Sequence, residues 1–200
     1  EVEGIGEKRI RKIAESWEKQ KEIKNVMLFL QDHGVSTSFA AKIYKQYGNE
    51  SVNKVRENPF RLADDIWGIG FKTADGIAQK LGFGKEAFVR LRSGIMYTLS
   101  NLADQGHVYA TKEQLIKTAA ELLEAEEGCV VMTLDQMLAD HDLILQKVEI
   151  PKEQRKHEMP ADLEQPEWKL AEPQITEAIY LPPFYYAETG VAGKLKRLLA

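Results

Sequence analysis

Three short stretches of this 200-residue chain place glycine or serine around an aliphatic residue, directly ahead of helix-forming sequence: Gly4-Ile5-Gly6, Gly34-Val35-Ser36 and Gly68-Ile69-Gly70. The first N–H groups of a helix lack an internal acceptor and sit at the positive end of its dipole. A turn that exposes them can therefore donate to an anion. Glycines at 68 and 70 permit positive φ and close approach of a bulky oxyanion, while Ile69 is expected to face inward and fix the turn to the core. Lys72 and Thr73 follow at the helix start, where an ammonium and a hydroxyl reach the same phosphate. Lys8 and Arg9 stand at the same spacing after Gly6, and Ser36 and Ser38 offer hydroxyls in the middle turn. Such a site reads charge and spacing and needs no base edge.

The phosphate is not expected to be a nucleotide's. A dinucleotide fingerprint requires a third glycine and a preceding strand, whereas "GIGFKTADG" follows the helical "RLADDIW". "GVAGKL" (190–195) has two residues between its glycines and Leu195 after Lys194, so it fails as a Walker A loop. His33, His107, His141 and His157 are scattered without a second ligand three or four residues away, and Cys129 is the single cysteine. No metal, cofactor or catalytic residue is expected in this chain. Trp67, Phe71, Tyr44, Tyr47 and Phe39 lie at helical spacing beside apolar residues and are assigned to the core rather than to base stacking. The acidic "ELLEAEEG" is assigned to a solvated helix end.

The elements that must carry these turns are helical. "EKRIRKIAESWEKQKEIKNVMLFLQDH", "TSFAAKIYKQYG", "ESVNKVRENPFRLADD", "KTADGIAQKLG" and "EAFVRLRSGIMYTLSNLADQG" repeat apolar residues three and four apart. The spacing predicts short helices of about 8 to 15 residues, stabilised mainly by packing. Gly34, Gly48 and Gly82 are expected to cap helix ends, Thr37 and Ser51 to cap starts, and Pro59 to end or restart a helix. The turns recur 30 and 34 residues apart, as Gly4, Gly34 and Gly68, so the repeating unit is a helical hairpin.

From about residue 90 the pattern becomes helix, short β-prone "HVYA", a helix that Thr111 can cap, a further helix and a strand-like tail, which is compatible with a winged-helix-like module. Residues 151–174 hold four of the seven prolines and read as a linker or exposed hairpin. "ITEAIYLPPFYYAETGVAGKLKRLLA" then starts as a strand and ends as a helix. No apolar run approaches the roughly 20 residues of a membrane span, and a cytoplasmic location is expected. The net charge of −4 is segregated: residues 1–100 hold 17 Lys and Arg against 13 Asp and Glu, and residues 101–200 hold 10 against 18. The basic first half is where a polyanion would dock.

"ADDIWGIGFKTADGIA" (63–78) resembles the helix-hairpin-helix motif, with Ala63, Ile66, Gly68, Ile69, Gly70, Ala74, Ile77 and Ala78 at its defining positions. The copy at Gly4 and Gly6 fits with Ile10 in place of the small residue. In the middle copy Ser36 replaces the second glycine and Asp32 an apolar position, so its backbone path is expected to differ. The order of "GIGEKRIRKIAESW", "VMLFLQDHGVSTSFAAKIYKQYG", "ENPFRLADDIWGIGFKTADGIAQKLG", "RLRSGIMYTLSNLADQGHVYATKEQL" and "IYLPPFYYAETGVAGKL" resembles the region preceding the motor in RecD-like (RecD/TraA) DNA helicases, the exodeoxyribonuclease V alpha-chain type.

The resemblance implies a mainly α chain: a tandem helix-hairpin-helix domain over 1–90 (a SAM/RuvA-like helical bundle) and a small winged-helix-like α+β module over 91–150. The linker at 151–174 and the start of a truncated motor domain at 175–200 would follow. It implies DNA as partner, single-stranded or forked and held by its backbone, together with the protein's own motor domain and other proteins of DNA repair and recombination, but no membrane. It also implies a 5′-to-3′ motor using ATP and Mg2+, whose Walker A segment follows residue 200. Two other readings stand beside it. A helix-hairpin-helix glycosylase or lyase would need an activated Lys or Asp beyond the hairpin, whereas Lys72 and Asp75 lie within its helix. A protein-docking scaffold would use the acidic second half.

Overall fold

A computed structural model describes residues 6–149 and 175–199. Gly4 and the expected linker at 151–174 lie outside the described residues. The chain divides into two compact units, Glu1–Arg90 and Leu91–Ala200.

The first unit opens with α1 (Glu7–Asp32), a single 26-residue helix. It is longer than the short helices that the spacing predicts, because no Gly or Pro falls between residues 7 and 32 to stop it. Only Val26 and Leu30 of this helix are buried, so its C-terminal third joins the core while residues 7–22 remain exposed. Next come α2 (Thr37–Tyr47), a 3-10 turn (Gly48–Glu50), α3 (Ser51–Glu57), α4 (Arg61–Asp65) and α5 (Phe71–Lys80). Ala40 and Ile43 of α2, Val55 of α3, Leu62 of α4 and Phe71, Ala74, Ile77 and Ala78 of α5 are buried with Val35, Phe60, Ile66 and Ile69. Full burial of each larger aliphatic or aromatic side chain contributes about 1.5 to 3 kcal/mol, which short helices need in order to persist.

Caps fall partly where expected. Gly48 ends α2 with φ +56. Gly34 and Gly82 each take a left-handed φ in a Schellman closure, with Val35 N–H donating to Leu30 O and Phe83 N–H to Ala78 O. Ser36, one residue before the expected Thr37, caps α2 by accepting from Phe39 N. Ser51 caps nothing: it is buried, and its hydroxyl donates to Gly48 O, which ties α3 to the end of α2.

The second unit contains most of α6 (Phe88–Asp104), then β1 (Ala110–Thr111), α7 (Lys112–Leu123), α8 (Glu127–Ala139), β2 (Ile144–Glu149), β3 (Ile175–Tyr180) and α9 (Pro182–Leu199). The strands form one antiparallel sheet in the order β1-β3-β2, with Leu145 and Ala110 both opposite Ile179. This helix, strand, helix, helix, strand, strand order is that of a winged helix. Thr111 caps α7 as expected, accepting from Gln114 N at 3.2 Å. Gly94 of α6 lies against the buried Leu123, where a Cβ would come within 2.6 Å of the leucine side chain. Ile175–Tyr180, expected as the start of a motor domain, is instead the central strand of this sheet. Ala178, Ile179 and Tyr180 are consequently buried in succession, as in a strand covered on both faces. Burial and a hydrogen bond to Glu188 of α9 push the Tyr180 phenol up to about 12.

Candidate nucleic-acid interface

The third hairpin is formed by α4, the turn at residues 66–70, and α5. Gly68 has φ +95, a conformation that L side chains rarely adopt. Ile69 is 3% exposed and holds the turn to the core. Gly70 is the N-cap of α5 with φ −96 and ψ 173, which is ordinary extended backbone. Of these two glycines, both of which permit positive φ, only Gly68 adopts it. At Gly70 the absent side chain leaves the helix N-terminus open, since nothing lies within 4 Å of where a Cβ would stand.

The middle hairpin follows the same path, contrary to expectation. Gly34 has φ +80, Val35 is buried, and Ser36 is extended with φ −63 and ψ 153. Serine serves in place of the second glycine because that position needs no left-handed conformation, and its hydroxyl supplies a cap. Gly6, the N-cap of α1, has φ −69 and ψ 157, so the third position of all three copies is extended. Among the described residues, the N–H groups of Ser36, Thr37 and Ser38 in one hairpin, and of Gly70 and Lys72 in the other, have no acceptor. Both hairpins thus present helix N-termini with open donors.

The two turns are neighbours. Phe39, three residues after Ser36, lies 3.7 Å from where a Cβ of Gly68 would stand. Lys42, one turn further along α2, donates to Trp67 O at 3.1 Å, and its ammonium is 5.5 Å from the ring centroids of both Trp67 and Phe39. In return, the Lys80 ammonium of α5 fills the space that a side chain at Gly34 would take. Each turn therefore carries a lysine from the helix that follows the other turn. Neither lysine is legible as a site residue, because spacing along one helix does not reveal a crossing to another hairpin.

Ser36, Ser38, Lys72 and Thr73 are exposed around these turns, and Lys8 and Arg9 are exposed on the first turn of α1. Asp32 adds a negative charge two residues before Gly34, whereas the buried Ile66 holds the corresponding position before Gly68. Of the aromatics assigned to the core, Phe71 is buried against Phe60, and Phe39, Tyr44 and Tyr47 are half-buried. Burial and a 2.6 Å hydrogen bond to Asp65 raise the Tyr47 phenol above its ordinary range. Trp67 departs from the assignment: at 91% exposure it stands in solvent beside Gly68.

Asp75 is not disposed as a catalytic acid. Arg90 binds it through Nε and Nη2 at 2.7 and 2.9 Å, with both side chains largely buried, and Arg90 also donates to Lys85 O. The glycines of "GVAGKL" lie inside α9 without positive φ. A phosphate-cradling loop needs non-helical backbone between a strand and a helix, so these residues do not fit a nucleotide. Among the described residues, no helix is long and apolar enough to cross a membrane.

Residues 19–109 match the family described as the ATP-dependent RecD2 DNA helicase HHH domain. The chain is also similar to the ATP-dependent RecD2 DNA helicase of Deinococcus radiodurans, at 28% identity over 129 residues. That alignment covers 64% of this chain and 18% of the relative, so the chain spans less than a fifth of the relative's length. The match takes in α2 to α5 with both described hairpin turns, so residues 19–109 are similar in sequence to the helix-hairpin-helix domain of RecD2-type helicases.

Proposed function

We propose that the first unit holds DNA by its sugar-phosphate backbone, without reading sequence, as the non-catalytic front part of a RecD-like 5′-to-3′ helicase acting in repair and recombination. The observation that carries this reading is the pairing of two adjacent helix N-termini with open N–H donors, each with a lysine from the opposite hairpin beside it. Phosphate oxygens on consecutive nucleotides suit such a pair, since both the donors and the ammonium groups are indifferent to base identity. The sites assigned are Gly68, Gly70, Lys72 and Thr73 in one hairpin and Gly34, Ser36 and Ser38 in the other. Lys42 and Lys80 join them, and Gly6, Lys8 and Arg9 extend the surface along α1. Ile69 acts from within by fixing the turn.

ATP and Mg2+ belong, in this reading, to a motor domain outside residues 1–200, and the protein works in the cytoplasm with that motor and other repair proteins as partners. The buried Arg90–Asp75 pair disfavours a lyase, because its carboxylate is committed to holding α5 against the start of α6. Fluorescence anisotropy with labelled single-stranded, forked and duplex DNA tests the proposal. Binding at low salt, indifferent to sequence and weakened severalfold by combined Lys42→Gln and Lys72→Gln substitution, is expected. Absence of binding to every form at low salt would refute it.

A further inference from the structure

Trp67 has the features of a ligand-facing side chain rather than a structural one. A large apolar ring is ordinarily withdrawn from water, yet this indole is 91% exposed at the tip of the third hairpin, between the buried Ile66 and the left-handed Gly68. It is also placed: its own carbonyl accepts from Lys42 Nζ, and that ammonium lies over both the indole and the half-buried Phe39 ring at 5.5 Å. A cation shared between two rings limits the indole's freedom while leaving most of its surface open. Three residues on, Gly70 opens the N-terminus of α5, and Lys72 follows with an exposed ammonium.

We propose that Trp67 stacks on an unpaired nucleobase of single-stranded DNA whose phosphate is held at the neighbouring Gly68–Lys72 turn. This rests on the backbone-binding reading above and extends it from the phosphate to the base. Within a duplex each base face is covered by its neighbours, so an exposed indole finds a stacking partner only where bases are unpaired. Stacking needs no hydrogen-bond readout and keeps the site indifferent to sequence. Phosphate contacts alone would bind single and double strands by charge, and Trp67 adds a preference for the unpaired strand. Lys42 acts as a positioning residue for the ring and as a cation beside the phosphate.

The full chain with Trp17→Phe and Trp168→Phe keeps Trp67 as its single indole and gives a direct reading. It is titrated with oligothymidylate, with an abasic oligomer of the same length and phosphate count, and with closed circular duplex. Oligothymidylate is expected to quench Trp67 emission and to bind about tenfold more tightly than the abasic oligomer, which binds without quenching. Trp67→Ala should abolish that tenfold difference, leave duplex affinity within about twofold and leave the unfolding midpoint unchanged; Trp67→Phe should retain part of the difference. Equal affinity for the two oligomers in the parent chain, or emission unmoved by bound oligothymidylate, overturns stacking while the backbone reading stands. Failure to bind any of the three nucleic acids overturns both.

Discussion

At the residue scale, the hairpin turns separate two uses of glycine that sequence alone merges. Gly68 needs its glycine for conformation: φ is +95, and a Cβ there would meet Lys42 Nζ and Phe39 Cε1 at 3.6 and 3.7 Å, which is ordinary contact. Replacement by alanine therefore costs backbone strain and little else, about 1 to 2 kcal/mol. Gly70 is extended, has open space around it, and corresponds to Ser36 in the middle hairpin. Gly70→Ser should consequently stay within about 0.5 kcal/mol of the parent, with serine gaining some cap to offset glycine's lost openness. Urea unfolding of the two variants tests this, and equal destabilisation would contradict the assignment of distinct roles. The pattern of glycine, aliphatic, small residue was legible, and so was the inward Ile69. The solvent position of Trp67 was not: an aromatic beside aliphatics at helical spacing looks like core, and only the turn's path shows that the ring lies beyond the end of α4.

At the element scale, the least visible feature is what joins α5 to its surroundings. Asp75 and Arg90 are fifteen residues apart and read as two surface charges, yet Arg90 is 4% exposed and grips the carboxylate with two nitrogens. Removing one partner from a buried pair strands the other, at a cost of about 3 to 5 kcal/mol. Asp75→Ala should thus lower the stability of the first unit by at least about 3 kcal/mol. Asp75→Asn, which keeps a carbonyl acceptor for the guanidinium, should cost less. Chemical denaturation ranks them, and a negligible loss in the alanine variant would show that the pair is solvated. Periodicity located the helices well but not their continuity. The first two hairpin copies share α1, since the helix after one turn is the helix before the next. The central position of β3 was hidden for another reason: its partners β1 and β2 precede it by more than 25 residues, and pairing over that separation leaves no local signal.

At the scale of the whole molecule, charge opposes the proposed activity on average and favours it locally. The chain carries a net −4, but the excess of acid lies in residues 101–200. Near the two turns, Asp75 is neutralised by Arg90, and Asp65 is engaged by Tyr47 and Arg61. Lys42, Lys72 and Lys80 remain as cations at the donors. Neutralising a phosphate releases condensed counterions, so the salt dependence of affinity counts such contacts irrespective of net charge. The three lysines at the two turns contribute about −2 to the log–log slope on a single strand, and Lys8 and Arg9 add about −0.7 each where the strand reaches α1. Each single Lys→Gln substitution should reduce the slope by roughly 0.7 and weaken binding to all sequences alike. The measurement is anisotropy across a salt series for the parent and the three variants. A slope near zero would mean that phosphate neutralisation does not drive binding. A slope unchanged by the substitutions would move the contact away from the two hairpins, towards the Lys8 and Arg9 end of α1.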